Sequence, residues 1–344
     1  MANQKINSTN LKTETFGVEI EGYGKRQSEV ASLLHTAFIN WADRNGVARD
    51  GCRHYHRAQH LNDWVVIDPQ GREWTVVSDS SLRDNSSGRD ETFELVTPVL
   101  RYNDIEMLQE LVRYLRENGC KSDARHGCGV HIHVGIKNDE HPATPKSIRA
   151  LANIVKNHEK LIVKAINMTH DRYDGGYANS ISSRLVNNLN AKKPTTWESL
   201  QKVHYDTLGG CPQDHYNQSR YYFLNLHAIW DLRHQRRAVD PMKGTVEFRC
   251  FEFQGNLHAG WLKAWIQLCM ALVSYSKLVS YARPHEVYDA NEKWAMKNFL
   301  NNLGLIGDEF KTCRVLFSRR LDGDASQRVP AVRMDTLDDL NLDE

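Results

Sequence analysis

The sequence predicts an α+β protein: one mainly antiparallel sheet with ligand-type side chains on one face and helices packed on the other. Three observations predict it. Three strand-like runs each place two polar residues around an apolar one: Glu19-Ile20-Glu21, His131-Ile132-His133 and Glu247-Phe248-Arg249. Side chains at i and i+2 of a strand share a face, so each run projects a pair of ligand-type groups from one side of a sheet. A fourth apolar run, Thr92-Phe93-Glu94-Leu95-Val96, embeds a single carboxylate, and Asp79 closes the strand-like run 74–78. Finally, segments 28–42, 145–168 and 257–282 repeat apolar residues at helical spacing and are long enough to cover the sheet's other face. The ligand pairs can converge only if their strands are neighbours in one sheet.

Residues 1–12 are polar and read as a disordered N-terminus. Segment 13–21 reads as a strand, with Gly22-Tyr23-Gly24 as a turn. Ser28 is an N-cap for an amphipathic helix to Ala42, with Val30, Leu33, Leu34, Ala37, Phe38 and Trp41 on its buried side. Residues 43–63, rich in His and Arg, read as irregular. Segments 64–68 and 72–78 form a hairpin around Asp68-Pro69-Gln70-Gly71. A polar loop over 82–90 leads into the Glu94 strand, which stops at Pro98. Asn103 or Asp104 opens a helix ending near Gly119, segment 127–136 is a strand, and Pro145 opens a long helix to Met168. From 170 to 218 the pattern is weak apart from a short helix over 197–205, and this stretch reads as an insertion or lid. Segments 220–226 and 245–253 are strands, and 257–282 is the longest helix. Residues 13–325 are expected to form a single domain, followed by a disordered acidic tail over 326–344.

The whole chain narrows the function classes. Lys+Arg number 44 against 43 Asp+Glu, so no global field draws the protein to nucleic acid or to anionic lipid. The N-terminus lacks the apolar core of a secretory signal, and the longest apolar stretch, 261–282, is interrupted by Lys263, Gln267 and Lys277, so no membrane span is expected. Seven cysteines without a C-x-x-C pair suggest neither a disulfide framework nor a zinc ribbon. Reduced thiols and a cytoplasmic location are the expectation. Neither G-x-G-x-x-G nor G-x-x-x-x-G-K-[ST] opens a helix, so the common nucleotide-binding loops are absent from the sequence.

Carboxylates gathered on a rigid sheet suit hard cations such as Mg²⁺ or Mn²⁺, which prefer oxygen ligands and keep positions for water or phosphate. Zinc would recruit several His or Cys. Arg249, two residues from Glu247, would put a planar donor fork beside the cations, where a transferring phosphoryl group needs its charge neutralised.

Five motifs in order, Phe16-Gly17-Val18-Glu19-Ile20-Glu21, Asp79-Ser80-Ser81-Leu82, Glu94-Leu95-Val96-Thr97-Pro98, Cys128-Gly129-Val130-His131-Ile132-His133-Val134 and Thr245-Val246-Glu247-Phe248-Arg249, resemble the putative amidoligase family. That family belongs with glutamine synthetase and glutamate–cysteine ligase, and the resemblance covers residues 14–275. It implies a glutamine synthetase-like catalytic domain, ATP and Mg²⁺ or Mn²⁺ as cofactors, and an ATP-dependent carboxylate–amine ligase acting through an acyl phosphate. The implied partners are a small-molecule or peptide carboxylate and an amino acid-like amine. It further implies that Glu21, Asp79 and Glu94 hold one metal, that Glu19, His131 and Glu247 hold a second beside the nucleotide, and that Arg249 contacts the phosphoryl group in flight. Arg220 and Asn225, in Ser219-Arg220-Tyr221-Tyr222-Phe223-Leu224-Asn225-Leu226, resemble the family's basic residue and the polar group reaching the site. The loop between Asp79 and Glu94 is longer than in glutamate–cysteine ligases. His133 shares the face of His131, and either could be the ligand.

Other readings compete. Glu19 and Glu21 could line a solvated strand face, His131 could be a hydrogen-bonded core histidine, and Glu247 with Arg249 could be a structural ion pair. The pairs His131/His133 and His54/His56 suggest a metal-dependent hydrolase of the amidohydrolase barrel type, which needs its ligands on successive parallel strands. A non-catalytic nucleotide- or protein-binding module with a ligase-like fold is the third reading. The cluster Arg53-His54-Tyr55-His56-Arg57 with His60 reads as a solvated loop rather than a phosphate or nucleic-acid site.

Overall fold

The computed structural model describes residues 11–57, 63–79, 82, 91–138, 141–214, 216–230, 244–284 and 290–328. Along the chain run β1 (Thr15–Tyr23), α1 (Gln27–Asn45), β2 (Arg53–Arg57), β3 (Asp63–Ile67), β4 (Glu73–Val77), β5 (Thr92–Val96), β6 (Leu100–Arg101), α2 (Ile105–Glu117), β7 (Val130–Gly135), α3 (Pro145–Ile166), α4 (His170–Tyr173), α5 (Ser183–Lys192), α6 (Trp197–Leu208), β8 (Leu224–Asn225), β9 (Thr245–Phe251), α7 (Ala259–Leu278), α8 (Glu292–Asn302) and α9 (Lys311–Ser318). Among the described residues the strands form one sheet in the order β2-β3-β4-β5-β1-β7-β9-β8, with β6 pairing the start of β1. All of these strand pairs are antiparallel.

Alternation along each strand sorts the two faces. Phe16, Val18 and Ile20 of β1, Trp74 and Val76 of β4, Val130, Ile132 and Val134 of β7, and Val246 and Phe248 of β9 are buried in the main core. On that side α1 packs on β3, β4 and β5, and α7 packs on β1 and β7. The rings of Phe38 and Trp74 meet edge-on at 5.1 Å, and Phe251 stacks on Trp265 at 5.1 Å. Each such side chain contributes about 1.5–3 kcal/mol through burial, so the helix layer fixes the register of the sheet. The odd-numbered residues of β1, Glu19 and Glu21, then have to emerge on the opposite face.

The sequence and the structure part company at definite places. β1 continues through Gly22 and Tyr23 instead of turning. A Cβ at Gly22 would lie 2.4 Å from the Phe93 ring and 2.7 Å from the Lys121 carbonyl, so the glycine answers to a close approach between strands and not to a turn. α1 begins before Ser28: the Glu29 carboxylate accepts from the Arg26 N–H at 3.0 Å and closes the first turn one step earlier. Residues 53–57, expected to be irregular, form β2. This edge strand has no apolar alternation because only its pairing with β3 makes it a strand. Segment 220–226 is a strand only at Leu224–Asn225, preceded by a 3₁₀ turn over Gln218–Tyr221. The sequence pattern does not predict α5, α8 or α9. α5 carries a stripe of just Leu185, Val186 and Leu189, packed on α3 and α6. α3 makes its main contacts with α7 and α5 rather than with the sheet, so it forms an outer helical layer. The expected loop over 82–90 lies, apart from Leu82, outside the described residues, as do the first ten residues and the last sixteen. Among the described residues, no helix is long and apolar enough to cross a membrane.

One buried histidine gives the fold a pH signature. His204 of α6 is 1% exposed, with its Nε2 3.1 Å from Ser219 Oγ. Burial, aided by the neighbouring His227, pushes its pKa down to about 3. A group depressed in the folded state binds more protons unfolded, so its stabilisation is complete above about 6.5 and is lost as the pH falls towards 3. Wild type is therefore expected to lose about 2 kcal/mol more than His204→Gln between pH 7 and pH 5, read from urea denaturation at both pH values. Parallel losses in the two proteins would show that His204 does not titrate in this way.

Candidate active site

The polar face is assembled by cross-strand pairing. Glu19 of β1 lies opposite His131 of β7, His133 lies opposite Glu247 of β9, and Glu247 lies opposite Asn225 of β8. On the other side of β1, Glu21 lies opposite Glu94 of β5. The register between β7 and β9 slips between Val130 and Ile132. Such a bulge bends a strand and re-aims a side chain, and it falls at Arg249, whose guanidinium turns back onto Glu247.

Among the described residues, Glu19, His131 and Glu247 form a group of ligand-type atoms lying within 4.8 Å of one another. His131 Nδ1 is 3.1 Å from Glu19 Oε2 and 3.7 Å from Glu247 Oε1, which marks Nδ1 as the ring atom facing both carboxylates. His133 Nε2 also approaches Glu19, at 3.2 Å, but stands 4.0 Å from Glu247, while its Nδ1 is 3.3 Å from Thr245 Oγ1. The geometry thus separates the two histidines. Glu19 keeps a quarter of its side-chain surface accessible and Glu247 almost none, so an ion would enter past Glu19.

Glu247 is held firmly. Arg249 Nη1 donates to its Oε1 at 2.5 Å, and Asn225 Nδ2 donates to its Oε2 at 2.6 Å. Burial opposes its charge, but Arg249, His133 and His131 outweigh burial and keep its carboxyl well below the usual carboxylate range. Burial opposes the charge of Glu19 too, but the neighbouring His133 and His131, both bonded to it, hold it low. Glu94 goes the other way. Burial and the charges of Glu19, Glu21 and Asp79 push it well above the usual range, and it hydrogen-bonds to Glu19. A crowded carboxylate that cannot shed its charge to water takes a proton, or a metal.

The expected set Glu21, Asp79 and Glu94 is brought together only in part. Glu21 and Glu94 pair, but Glu21 Oε2 accepts from the Gly129 N–H. Asp79 lies two residues beyond Val77, the partner of Glu94, and acts on Glu94 through its charge. Arg220 packs on Tyr221, its guanidinium 5.5 Å from the centre of a ring that also lies 5.8 Å from the guanidinium of Arg249.

Sequence reasoning misses one site residue. Arg172, 6% exposed, reaches in from α4, with Nε donating to the Arg249 carbonyl at 3.0 Å and Nη2 3.1 Å from His131 Nε2. Its short helix sits in a stretch without periodicity, and nothing around it in sequence marks it. The one signal is Gly129, a small residue at the head of a ligand-bearing strand.

This donor set fits a hard divalent cation. It offers two ionised carboxylates and one imidazole, with the buried Asn225 Oδ1 and Arg249 Nε left without protein partners. The barrel hydrolase is not supported, because the sheet is antiparallel. His54 and His56 sit on β2, separated from β1 by three strands, with His56 against Trp64 at 5.1 Å. A family model described as "putative amidoligase enzyme" matches residues 12–273. No curated protein matches the chain.

Proposed function

Because this chain belongs to the putative amidoligase enzyme family, we propose that it is an ATP-dependent carboxylate–amine ligase with a glutamine synthetase-like catalytic domain. It joins a small-molecule or peptide carboxylate to an amino acid-like amine. The observation that carries this reading is Glu247 and Arg249 together on one strand face: a carboxylate within the ligand triad, and a guanidinium bonded to it at 2.5 Å.

A carboxylate is a poor electrophile towards amines, because its oxygen must leave as a hydroxide equivalent. Transfer of the γ-phosphoryl group of ATP to a carboxylate oxygen gives an acyl phosphate and ADP. The amine then attacks the acyl carbon, phosphate leaves with the bond electrons, and the nitrogen gives up one proton as the amide forms. Mg²⁺ or Mn²⁺ held by Glu19, His131 and Glu247 would offset charge on the phosphates, with Glu21, Glu94 and Asp79 assigned to a second ion. Arg249 stabilises charge on the moving phosphoryl oxygens, its unpartnered Nε being a ready donor. Asn225 keeps Glu247 oriented, and its unpartnered Oδ1 accepts from a bound group. Arg220, anchored on Tyr221, supplies a cation for the substrate carboxylate.

The test is interception. Screened with Mg²⁺ or Mn²⁺, ATP and a panel of carboxylates, the protein should release ADP, and hydroxylamine should trap the intermediate as a hydroxamate. AMP and pyrophosphate would mean an acyl adenylate and end this assignment; no nucleotide turnover across the panel would favour the binding module.

A further inference from the structure

Strand β9 carries its extra residue at Arg249. Val130 pairs with Phe251 and Ile132 with Phe248, so Arg249 and Cys250 together face His131 alone. Such a bulge disrupts the ladder, and the backbone groups it releases need other partners. On the β8 side the ladder is split as well. Phe223 stands opposite Arg249 in the register that Leu224 and Phe248 set. The Arg249 N–H donates to the Phe223 carbonyl at 3.1 Å, which is one half of a hydrogen-bonded antiparallel pair. The returning half is replaced. The Phe223 N–H donates to the Asn179 carbonyl at 2.7 Å, and the Arg249 carbonyl accepts from Arg172 Nε at 3.0 Å. Two groups that would have bonded to each other are each taken by the segment between α3 and α5.

Arg172 has a place built for it. Its helix α4 is a single turn, anchored by Thr169, whose N–H and hydroxyl both donate to Glu252. Glu21 and Glu252 offset a charge that burial and the neighbouring Arg249 disfavour. The guanidinium lies over Gly129, where a Cβ would come within 2.1 Å and 2.3 Å of its terminal nitrogens. Gly129 is not among the glycines with positive φ, so it answers to the guanidinium and not to its own backbone.

We infer that Arg172 is a positioning residue for phosphoryl transfer: it supplies the rung that the split ladder lacks at Arg249, and so fixes where the Arg249 guanidinium points. A bulge bends its strand and sets the aim of its side chains. In a step that depends on direction, a misplacement of about 1 Å costs about a hundredfold. The effect passes through the Arg249 backbone and not through contact with a reactant. The inference rests on the ligase reading, in which Arg249 faces the moving phosphoryl group.

A double-mutant cycle in ADP release tests it, with the full-length protein, Mn²⁺ and the carboxylate that screening finds active. Arg172→Met removes every donor and keeps an unbranched stem. It should lower kcat at least about tenfold, with KM for ATP changed less than about threefold. In the Arg249→Lys background, where the planar fork is already gone, the same substitution should cost less than about threefold. Arg172→Lys, whose ammonium can still reach the carbonyl, should recover most of the rate. Gly129→Ala crowds the guanidinium out while leaving Arg172 in the chain, and it should show the same non-additivity even if Arg172→Met folds poorly. Amide hydrogen exchange reads the rung without turnover: Arg172→Met should speed exchange at Phe223 and Arg249 at least about tenfold and leave β1 protected. Equal losses of kcat in both backgrounds would show that Arg172 acts elsewhere and overturn the inference. A loss confined to KM, or faster exchange across the whole sheet, would overturn it too, and each of these results leaves the ligase reading standing. No ADP release by wild type on any carboxylate overturns both.

Discussion

Glu19→Gln is expected to lower ligase turnover at least about a thousandfold and to weaken Mn²⁺ binding, with far-UV circular dichroism unchanged. The substitution keeps the shape of the side chain and removes one charged ligand from the triad, and the electrostatic stabilisation that a bound cation gives a transferring phosphoryl group goes with it. Glu19 is the cleanest place to make this test. It bonds to His131 and His133 and acts on the buried Arg249 only through its charge, whereas Glu247→Gln would take away the carboxylate that Arg249 bonds to. His131→Ala should match it in activity. Glu94→Gln should also be inactive but differ in stability: its carboxyl is already pushed towards the neutral form, so a neutral isostere costs the fold little. Without added metal its melting temperature should hold or rise. Full activity in Glu19→Gln would show that the carboxylate only decorates a strand.

Arg249→Lys is expected to lower kcat about a hundredfold, with a smaller change in KM for ATP. Lysine keeps the charge but not the planar fork. In the structure one arm of that fork, Nη1, is spent on Glu247, and the buried Nε is left for a second partner. A single ammonium cannot hold Glu247 and reach a phosphoryl oxygen in fixed directions. The loss should therefore fall on the step in which charge develops, and not on nucleotide binding. An equal rise in KM with kcat unchanged would assign Arg249 to ground-state binding instead.

Much of this site is legible in the amino-acid sequence because strands have a period of two. Glu19 with Glu21, His131 with His133 and Glu247 with Arg249 each had to share a face, and the apolar residues between them had to face the helices. The long helices were equally plain from their apolar spacing, because each buries a continuous stripe. Convergence was not written in any single segment. That Glu19 meets His131 and that Glu247 meets both His133 and Asn225 depends on strand order and register, which the packing of α1 and α7 sets from the other side of the sheet. His131 Nδ1 and His133 Nε2 stand 3.7 Å and 4.0 Å from the same Glu247 oxygen, a difference that no spacing rule carries. Arg172 lay beyond sequence reading altogether. It enters from an irregular segment with no periodicity, and only the missing side chain of Gly129, forty-odd residues before it, leaves room for its guanidinium. Local alternation determined which side chains could serve the site, and tertiary packing decided which of them touch, because contact depends on how distant strands and loops are brought together.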